Sequence, residues 1–469
     1  MTIVTVSNQI EFNPYDFPVP LIDQVKRDLT LQNPAYLQAV KYNYPVFGKP
    51  KEIHLYRFEK DTGGCRVILP RGYCSTLLKL FSQYRLSPTL VDKRLTLPSV
   101  DFQSTIKLRD YQIPAVDKLT KFIQGGVVAG CGAGKTQIML EAMARIGQPS
   151  LWVCHSYELL EQTMKRACEV FEDMEPEEVG IIAAGKVSIG KRLTMALVQT
   201  LSKLDLDTIK DKFGAVFVDE AHRLAAKTFF HPIGQFPAKY RLWASATPQR
   251  EDGLTQMVFV AGGPILYTVN SCELPTMTPR LEVIETNFDQ WHDEYSKLVS
   301  LLTQDRQRNS LIVDTIVQEA PGHFSLVLSD RTEHLETLRS MLAKVAPQIK
   351  AEILIGTIKK KARTEIMNRM QNKETRVLFA TQLAREGLDI VHLDRLFLTT
   401  PKRASGAVQQ EVGRIMRPCL GKSEPIIFDF LDSKNPILRA QFHPRKEVYL
   451  KLGIQWKKPI KKKNDQIIA

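Results

Sequence analysis

The sequence predicts an α/β protein in which two successive domains, each built on a parallel sheet, follow a small α+β domain. Three observations lead to this fold class. From Leu108 onward, short apolar runs of strand length alternate with amphipathic helical patterns, as in parallel sheets. The alternation stops in a proline-containing stretch, residues 273–279, and then begins again. A chain of 469 residues is also too long for a single hydrophobic core.

The changes of pattern along the chain predict four regions. We expect an N-terminal accessory domain over residues 1–104, α/β domains over 105–275 and 280–450, and a basic tail over 451–469. In the N-terminal region, alternation of apolar and polar residues predicts one strand over 52–58, paired in a hairpin with 65–69.

Composition restricts the partners and the compartment. The formal net charge is +13 and the sequence pI is about 9.3, which suits a polyanionic partner but does not distinguish DNA from RNA. No apolar run approaches the roughly 20 residues of a membrane span, and the N-terminus lacks the pattern of a secretory signal. The seven cysteines form no C-x-x-C pair, so neither a zinc site nor a disulfide framework is indicated, and we expect a cytoplasmic protein.

Basic and aromatic residues are interleaved in the first region, for example over Lys41–Tyr44. Two interpretations remain open for them: a nucleic-acid surface, or the core of a small domain.

Two sets of strands are predicted for the α/β domains. The first set is Gly126–Ala129, Ser150–Cys154, Met195–Gln199, Ala215–Val218 and Arg241–Ala244. The second set is Ser325–Leu328, Ala351–Ile355, Arg376–Ala380, Arg395–Thr399 and Pro425–Phe430.

The first of these strands leads into a glycine-rich turn and a helix start, which is the arrangement of a phosphate-binding loop. Glycines allow backbone N–H groups to converge on an anion, and the helix N-terminus adds partial positive charge. Lys135 is predicted to reach the β- and γ-phosphates, and the Thr136 hydroxyl to hold Mg²⁺. The predicted nucleotide-binding residues of the loop are Ala129, Gly130, Cys131, Gly132, Ala133, Gly134, Lys135 and Thr136.

Two carboxylates follow a later buried strand. Asp219 and Glu220 lie directly after Ala215–Val218, and Asp219 is 84 residues beyond Lys135. Ligands of open α/β sheets bind at the carboxyl ends of the strands. We therefore predict that Asp219 holds Mg²⁺ and that Glu220 activates the attacking water.

These motifs together resemble those of the superfamily 2 helicases, whose motif II is the Asp-Glu-Ala-His found here at 219–222. The remaining motifs occur in family order over residues 105–432: Leu108–Gln112, Leu151–Gln162, Val198–Leu201, Ser245–Pro248, Leu328–Asp330, Ala380–Asp389 and Gln410–Arg417. The resemblance implies tandem RecA-like motor domains that use ATP and Mg²⁺.

The resemblance also implies roles for individual residues. Nucleotide contacts are expected from Arg109, Gln112, Gly387 and Asp389, with Gln112 recognising adenine. His222, Ser245 and Thr247 are expected to couple the state of the bound nucleotide to closure of the two domains. Contacts to nucleic acid are expected from His155, Gln199, Thr200, Arg250, Ser329, Lys360, Arg363 and Thr381. For Lys360 and Arg363, a solvated helix face is an equally good interpretation.

Gln410, Arg414 and Arg417 recur at helical spacing and are predicted to share one face of a helix. Guanidinium groups suit a γ-phosphate because they make planar, charge-assisted hydrogen bonds. We predict that these residues complete the catalytic site.

The Arg250–Asp252 triplet resembles the XPB-like branch, and the compact chain resembles the phage UvsW-like branch-migration helicases. The resemblance implies an ATP-dependent DNA helicase or translocase acting on forks or junctions in replication, recombination or repair. Its partners would be single-stranded or duplex DNA and other replication or recombination proteins. We expect a monomer with no membrane association.

Three alternatives remain for the function: a duplex translocase or remodeller without net unwinding, the motor subunit of a restriction or repair assembly, and an RNA helicase.

Overall fold

The computed structural model describes residues 2–61, 64–130, 132–222, 227–248, 253–270, 276–381, 390–401 and 405–455, without the side chains of 61, 227–229, 360 and 405–407. The chain divides into two compact units, Met1–Glu273 and Leu274–Ala469. The expected boundary near residue 104 remains a prediction. The basic tail lies largely outside the described residues.

In the described residues of the first unit, three sheets form, together with the helices that cover them. Its strands are β1 (Ile3–Val6), β2 (Gln9–Phe12), β3 (Thr30–Gln32), β4 (Glu52–His54), β5 (Arg57–Asp61), β6 (Gly64–Pro70), β7 (Thr89–Asp92), β8 (Gln124–Val128), β9 (Ser150–Cys154), β10 (Gly180–Ala183), β11 (Lys186–Val187), β12 (Leu193–Leu197), β13 (Ala215–Asp219), β14 (Tyr240–Ser245) and β15 (Ile265–Thr268). Its helices are α1 (Val19–Asp28), α2 (Pro34–Lys41), α3 (Cys74–Gln83), α4 (Ile113–Lys121), α5 (Lys135–Ile146), α6 (Tyr157–Val170), α7 (Val198–Leu201), α8 (Lys227–Gln235) and α9 (Thr255–Gly262).

The central sheet of this unit runs in the order β11-β10-β12-β9-β13-β14-β8-β15, and its strand pairs are parallel apart from β10–β11. Strands β9 and β13 are buried along their whole length, as expected where helices cover both faces of a parallel sheet. The Trp152 and Phe217 rings stack across these two strands, 6.2 Å apart. This order places the carboxyl ends of β13, β14 and β8 side by side.

The N-terminal sheet runs in the order β5-β6-β2-β1-β7, and β3 pairs with β4 in a separate ribbon. This region does not have a separate core: Phe12 and Phe81 belong to the same buried cluster as Phe236 and Met257 of the α/β part. The backbone also approaches closely, because a Cβ added at Gly72 would lie 2.2 Å from the Val260 carbonyl oxygen. The N-terminal region is therefore packed against the first α/β domain as part of one unit.

As far as the structure describes the second unit, its strands form one parallel sheet with helices on both faces. Its strands are β16 (Arg280–Glu285), β17 (Ser325–Ser329), β18 (Ala351–Leu354), β19 (Val377–Thr381), β20 (Arg395–Leu398) and β21 (Ile426–Leu431), in the spatial order β16-β21-β20-β17-β19-β18. Its helices are α10 (Tyr295–Gln304), α11 (Arg306–Glu319), α12 (Thr332–Val345), α13 (Lys360–Gln371), α14 (Ser405–Ile415), α15 (Pro436–Ala440) and α16 (Phe442–Lys451). Separate apolar clusters form on the two faces of this sheet.

The predicted fold class is confirmed: α/β, with parallel sheets in both units. Two local predictions are wrong. The strand predicted over 52–58 is broken, because Leu55 turns into the core and donates its backbone N–H to the Leu29 oxygen, so that β4 and β5 belong to different sheets. The strand predicted over Met195–Gln199 is Leu193–Leu197, and α7 follows it directly. Within the described ranges, no helix is both long enough and apolar enough to cross a membrane.

Candidate functional site

The predicted phosphate-binding loop lies between β8 and α5. Its first residue, Ala129, is held against the neighbouring strand by a hydrogen bond from its N–H to the Ser245 oxygen, 3.0 Å. Gly132 and Gly134 have φ values of +82° and +76°, which glycine adopts without steric cost, and α5 begins immediately afterwards at Lys135. The chain thus turns sharply into a helix N-terminus, which is the geometry that binds an anion. Cys131 lies outside the described residues.

The Gln112 side chain is hydrogen-bonded to this loop. The side chain is buried, its Nε2 donates to the Ala133 oxygen at 2.8 Å, and its Oε1 accepts the backbone N–H of Arg109 at 2.9 Å. The Arg109 guanidinium donates to the Tyr111 hydroxyl at 2.9 Å. Gln112 therefore contacts the phosphate-binding loop directly, and its predicted contact with adenine, like that of Arg109, stays a prediction.

The close contact between Gln112 and the loop leads to a test at Gly134. A Cβ on Gly134 would lie 2.4 Å from Gln112 Nε2. We expect Gly134→Ala to destabilise the protein by about 1–2 kcal/mol, since an L-residue is strained at this φ. We also expect it to weaken nucleotide binding at least tenfold, because the Gln112 amide must move. Thermal unfolding and titration with a fluorescent ADP analogue measure the two effects.

Gly185 provides the matched control. Its φ is +82°, yet a Cβ there would meet nothing within 4 Å. Gly185→Ala should therefore share the loss of stability and keep nucleotide affinity. Equal nucleotide affinities in the two variants would contradict the role given to the contact between Gly134 and Gln112.

Asp219 and Glu220 lie next to the loop because β13 and β8 flank β14. Asp219, the last residue of β13, accepts the Glu220 N–H on Oδ1 at 2.9 Å. The Lys135 Nζ is 3.8 Å from Glu220 Oε1 and 3.5 Å from the Ala129 oxygen. Glu220 has a φ of +55°, an uncommon conformation for a residue with a side chain. The structure thus brings the predicted lysine and carboxylates together at one edge of the sheet.

The two carboxyl groups have different protonation equilibria. Burial and the neighbouring Glu220 raise the pKa of Asp219 above its ordinary value. Burial also opposes ionisation of Glu220, but Lys135 and His222 outweigh it and lower the pKa of this carboxyl. Glu220 is therefore ionised at neutral pH and able to accept a proton.

The donor atoms at this site suit Mg²⁺. Thr136, the second residue of α5, and Asp219 offer a hydroxyl and a carboxylate oxygen, and Mg²⁺ in nucleotide sites takes one or two such ligands together with phosphate oxygens and water. The described residues contain no cluster of three or more His, Cys, Asp or Glu able to hold a metal by themselves.

A short chain of contacts joins three of the predicted motifs. His222 Nδ1 lies 3.3 Å from Glu220 Oε2 and 3.3 Å from Ser245 Oγ. The Ser245 hydroxyl accepts the Thr247 N–H at 3.3 Å, and its carbonyl oxygen accepts the Ala129 N–H. Ser245 is fully buried at the end of β14, between the strands that carry the loop and the carboxylates.

The residues of this unit that are predicted to contact nucleic acid form a second group, at the carboxyl ends of β9 and β12. These strands are parallel neighbours, and Gln199 Nε2 donates to the His155 oxygen at 2.8 Å. Thr200 follows in α7 and is half-buried. Arg250 lies outside the described residues. The hydrogen bond brings His155 and Gln199 together, and the contact of His155, Gln199 and Thr200 with nucleic acid stays a prediction.

In the second unit, α14 carries Gln410 and Arg414 on its half-exposed side, while Val408 and Val412 are buried beneath. Arg417 lies two residues beyond the end of α14, so the prediction of three residues on one helical face is corrected for Arg417. Thr381 ends β19, Arg363 lies half-buried in α13, and Lys360 begins that helix, with its side chain outside the description. Gly387 and Asp389 also lie outside the described residues.

The prediction that the Ser329 side chain contacts nucleic acid is wrong. Its side chain is fully buried, and its hydroxyl accepts the Arg331 N–H at 3.1 Å and lies 3.1 Å from His334 Nδ1. Ser329 therefore stabilises the turn from β17 into α12 from the interior.

The sequence analysis did not predict a buried ion pair that stabilises the second sheet. Arg308 and Asp432 form a buried ion pair, with Nε to Oδ1 2.8 Å, and Arg308 Nη1 donates to the Thr399 oxygen at 2.8 Å. Through Thr399 and Asp432, this pair links the residues that directly follow β20 and β21. Helical periodicity treats Arg308 as a surface residue, so no signal in the sequence marks it.

Two family descriptions match the chain. Residues 105–250 match "Type III restriction enzyme, res subunit", and residues 307–419 match "Helicase conserved C-terminal domain". The chain belongs to the superfamily 2 helicases. The helicase family inferred from the motifs is confirmed, and membership implies the use of ATP.

Curated relatives of this helicase include phage and XPB-like proteins. Probable helicase D10 of Escherichia phage T5 is 28% identical over 461 residues, which is 97% of this chain and 95% of D10. Putative ATP-dependent RNA helicase L396 of Acanthamoeba polyphaga mimivirus is 28% identical, over 76% of this chain and 70% of L396. DNA 3'-5' translocase XPB2 of Sulfurisphaera tokodaii is 25% identical, over 69% of this chain and 81% of XPB2.

Proposed function

We propose that this helicase hydrolyses ATP to move on DNA and acts on branched DNA, such as forks and four-way junctions. The grouping of Lys135, Asp219 and Glu220 at one edge of the first sheet is the observation that carries the proposal. A lysine at a helix N-terminus beside an ionised carboxylate is what attack of water on a γ-phosphate requires.

The proposed chemistry assigns each group one task. Backbone N–H groups of the loop and Lys135 bind the phosphates, and Glu220 accepts a proton as water forms its bond to the γ-phosphorus. The bond from that phosphorus to the β–γ bridging oxygen breaks, and ADP leaves with the electron pair. Thr136 and Asp219 would hold Mg²⁺, which would supply positive charge that neutralises the phosphates. Arg414 and Arg417 are proposed to stabilise the charge that develops on the γ-phosphoryl group.

DNA is the proposed substrate, and RNA is the alternative. The net charge of +13 suits either polyanion. One relative is named as a DNA translocase and another as a putative RNA helicase. His155, Gln199 and Thr200 are proposed to contact the strand backbone, as are Thr381, Arg363, Arg250 and Lys360, so sequence preference should be weak.

The substrate is tested by comparing stimulation of ATP hydrolysis. We expect forked and four-way DNA to raise the rate at least tenfold over the rate without nucleic acid. RNA of matched sequence and shape is expected to stimulate less. Lys135→Ala, which removes the phosphate-binding ammonium group, is the blank for contaminating ATPases. Equal or greater stimulation by RNA would replace the DNA proposal, and the same rate on linear and branched DNA would remove the preference for branches.

A second candidate function is translocation on duplex without strand separation, because XPB2 is named a translocase. A triplex-displacement assay run beside a fork-unwinding assay separates the two. Displacement of the third strand without release of the fork strand would favour the translocase.

A further inference from the structure

A loop in the N-terminal region projects three aromatic side chains into solvent. The segment Tyr42–Lys51, here called the aromatic loop, joins α2 to β4. Its Tyr42, Tyr44 and Phe47 side chains are 54%, 62% and 98% exposed. Isolated apolar residues are common on protein surfaces, but a cluster of large aromatic groups indicates a binding surface.

The aromatic loop is built to keep these rings exposed. At its base, Asn33 donates its backbone N–H to the Lys51 oxygen at 3.0 Å and its side-chain Nδ2 to the Pro50 oxygen at 2.7 Å. At its start, the Tyr44 N–H donates a hydrogen bond to the Ala39 oxygen of α2 at 2.8 Å. Hydrogen bonds therefore fix both ends of the loop to α2.

The tip of the aromatic loop is a tight turn that presents Phe47. The Lys49 N–H donates to the Val46 oxygen at 3.0 Å, and Gly48 has a φ of +72°. Glycine with positive φ at the third position is characteristic of a type II turn, which places Phe47 at the second position. Lys49 Nζ also reaches the Pro45 oxygen at 3.3 Å, across the turn. Phe47 is thus exposed because of the conformation of the turn.

The charge of the aromatic loop suits a polyanionic partner. Lys41, Lys49 and Lys51 are exposed, and the sequence contains no acidic residue from 41 to 51. Lys41 Nζ lies 5.6 Å from the centroid of the Tyr42 ring, and the Tyr42 and Tyr44 rings are 6.1 Å apart. Aromatic faces with interleaved cations are the chemistry that binds unpaired nucleotides, since bases stack on the rings and phosphates pair with the cations.

We propose that the aromatic loop binds unpaired bases of the nucleic acid, with Phe47 stacking on the first unpaired base at a boundary between duplex and single strand. This inference rests on the proposed function in one respect: nucleic acid is the substrate. It adds a contact outside the motor motifs, in a region where those motifs assign no residue. Internal base pairs of a duplex have both faces covered, and a blunt end exposes only the face of its terminal pair, so the loop prefers the unpaired bases of a fork.

The test uses the full chain with substitutions at Phe47, whose exposure makes them harmless to the fold. Fluorescence anisotropy measures affinity for three labelled DNAs: a single strand, a fork and a blunt duplex of the same sequence. We expect Phe47→Ala to weaken binding to the single strand and the fork by about 5- to 100-fold, and to leave the blunt duplex within twofold. Phe47→Trp should retain binding, because it retains a stacking face.

Two further variants distinguish base stacking from a general apolar contact. Phe47→Leu preserves an apolar side chain but removes the aromatic face, so it should behave as Phe47→Ala. If Phe47→Leu binds the three DNAs like the unsubstituted protein, binding does not require an aromatic face and the proposal is overturned. Tyr15→Ala is the matched control, because Tyr15 is 77% exposed in the same region but lies beside Asp16 and outside the loop. It is expected to change nothing.

A crosslinking measurement locates the contact. With 5-bromouracil at successive positions of the fork, irradiation should join the tryptic peptide containing Phe47 to the first unpaired nucleotides and not to paired ones.

Failure of this inference is distinguishable from failure of the proposed function. If no nucleic acid stimulates ATP hydrolysis by the unsubstituted protein, the proposed function fails. If stimulation is present and Phe47→Ala binds and unwinds forks like the unsubstituted protein, only the inference about the aromatic loop fails.

Discussion

Replacing Glu220 by glutamine is expected to lower DNA-stimulated ATP hydrolysis by about 10²–10⁴-fold, the usual contribution of a positioned general base. The amide is nearly isosteric but cannot take the proton from water. Lys135, 3.8 Å from Glu220 Oε1, keeps its contact with bound phosphate, so nucleotide affinity should change less than threefold. Single-turnover hydrolysis measures the first quantity, and titration with a fluorescent ADP analogue measures the second.

Glu141→Gln is the matched control for this substitution. The Glu141 side chain is 12% exposed and pairs with Arg145 at 2.8 Å, so it is buried to a similar degree in the same unit. Its hydrolysis rate should stay within twofold of that of the unsubstituted protein. A Glu220→Gln variant that keeps more than a tenth of the stimulated rate would refute the role of Glu220 as the base.

Replacing Arg414 by alanine is expected to reduce hydrolysis by about 10³–10⁵-fold, the effect of losing an arginine that neutralises a transferring phosphoryl group. Negative charge develops on the β–γ bridging oxygen as its bond to the γ-phosphorus breaks, so the guanidinium interacts more strongly with the transition state than with bound ATP. ATP affinity should therefore fall less than fivefold. Arg414→Lys should recover only part of the rate, because an ammonium group cannot make the planar two-point contact.

The measurement pairs kcat with the dissociation constant of a non-hydrolysable ATP analogue. Arg369→Ala is the control, since Arg369 is a half-buried arginine of the same unit that pairs with Glu352 at 2.8 Å. It is expected to leave kcat unchanged. Proportional losses of kcat and affinity in Arg414→Ala would show that the arginine binds ATP in the ground state and does not act in the transition state.

Much of the two parallel sheets was predictable because buried parallel strands are continuous apolar runs. Each strand predicted for the α/β domains overlaps a strand of the structure, with no end shifted by more than two residues. The predictions missed β10, β11, β15 and β16. Most of these are short or lie at a sheet edge, where partial exposure weakens the apolar pattern. Strand β15, for example, has two exposed and two half-buried residues and no buried one.

The candidate site was predictable to the extent that its residues follow strand ends. Lys135, Asp219 and Glu220 meet because sheet order places β13, β14 and β8 together, and a motif at each strand end indicates this. Contacts that depend on side-chain direction were not predictable. The burial of Ser329 depends on the direction in which its side chain leaves the turn from β17 into α12, and the hydrogen bond from Gln112 to Ala133 joins residues 21 positions apart. Spacing along the chain contains no information about either.

The left-handed backbone conformation at Glu220 means that thermal stability and ATP turnover favour different residues at this position. A glycine would adopt the φ of +55° without the cost of roughly 1 kcal/mol that a β-carbon imposes. Mutants selected only for a higher melting temperature would thus tend to lose the carboxylate that hydrolysis needs. Any attempt to make a heat-resistant form of this motor has to gain its stability elsewhere.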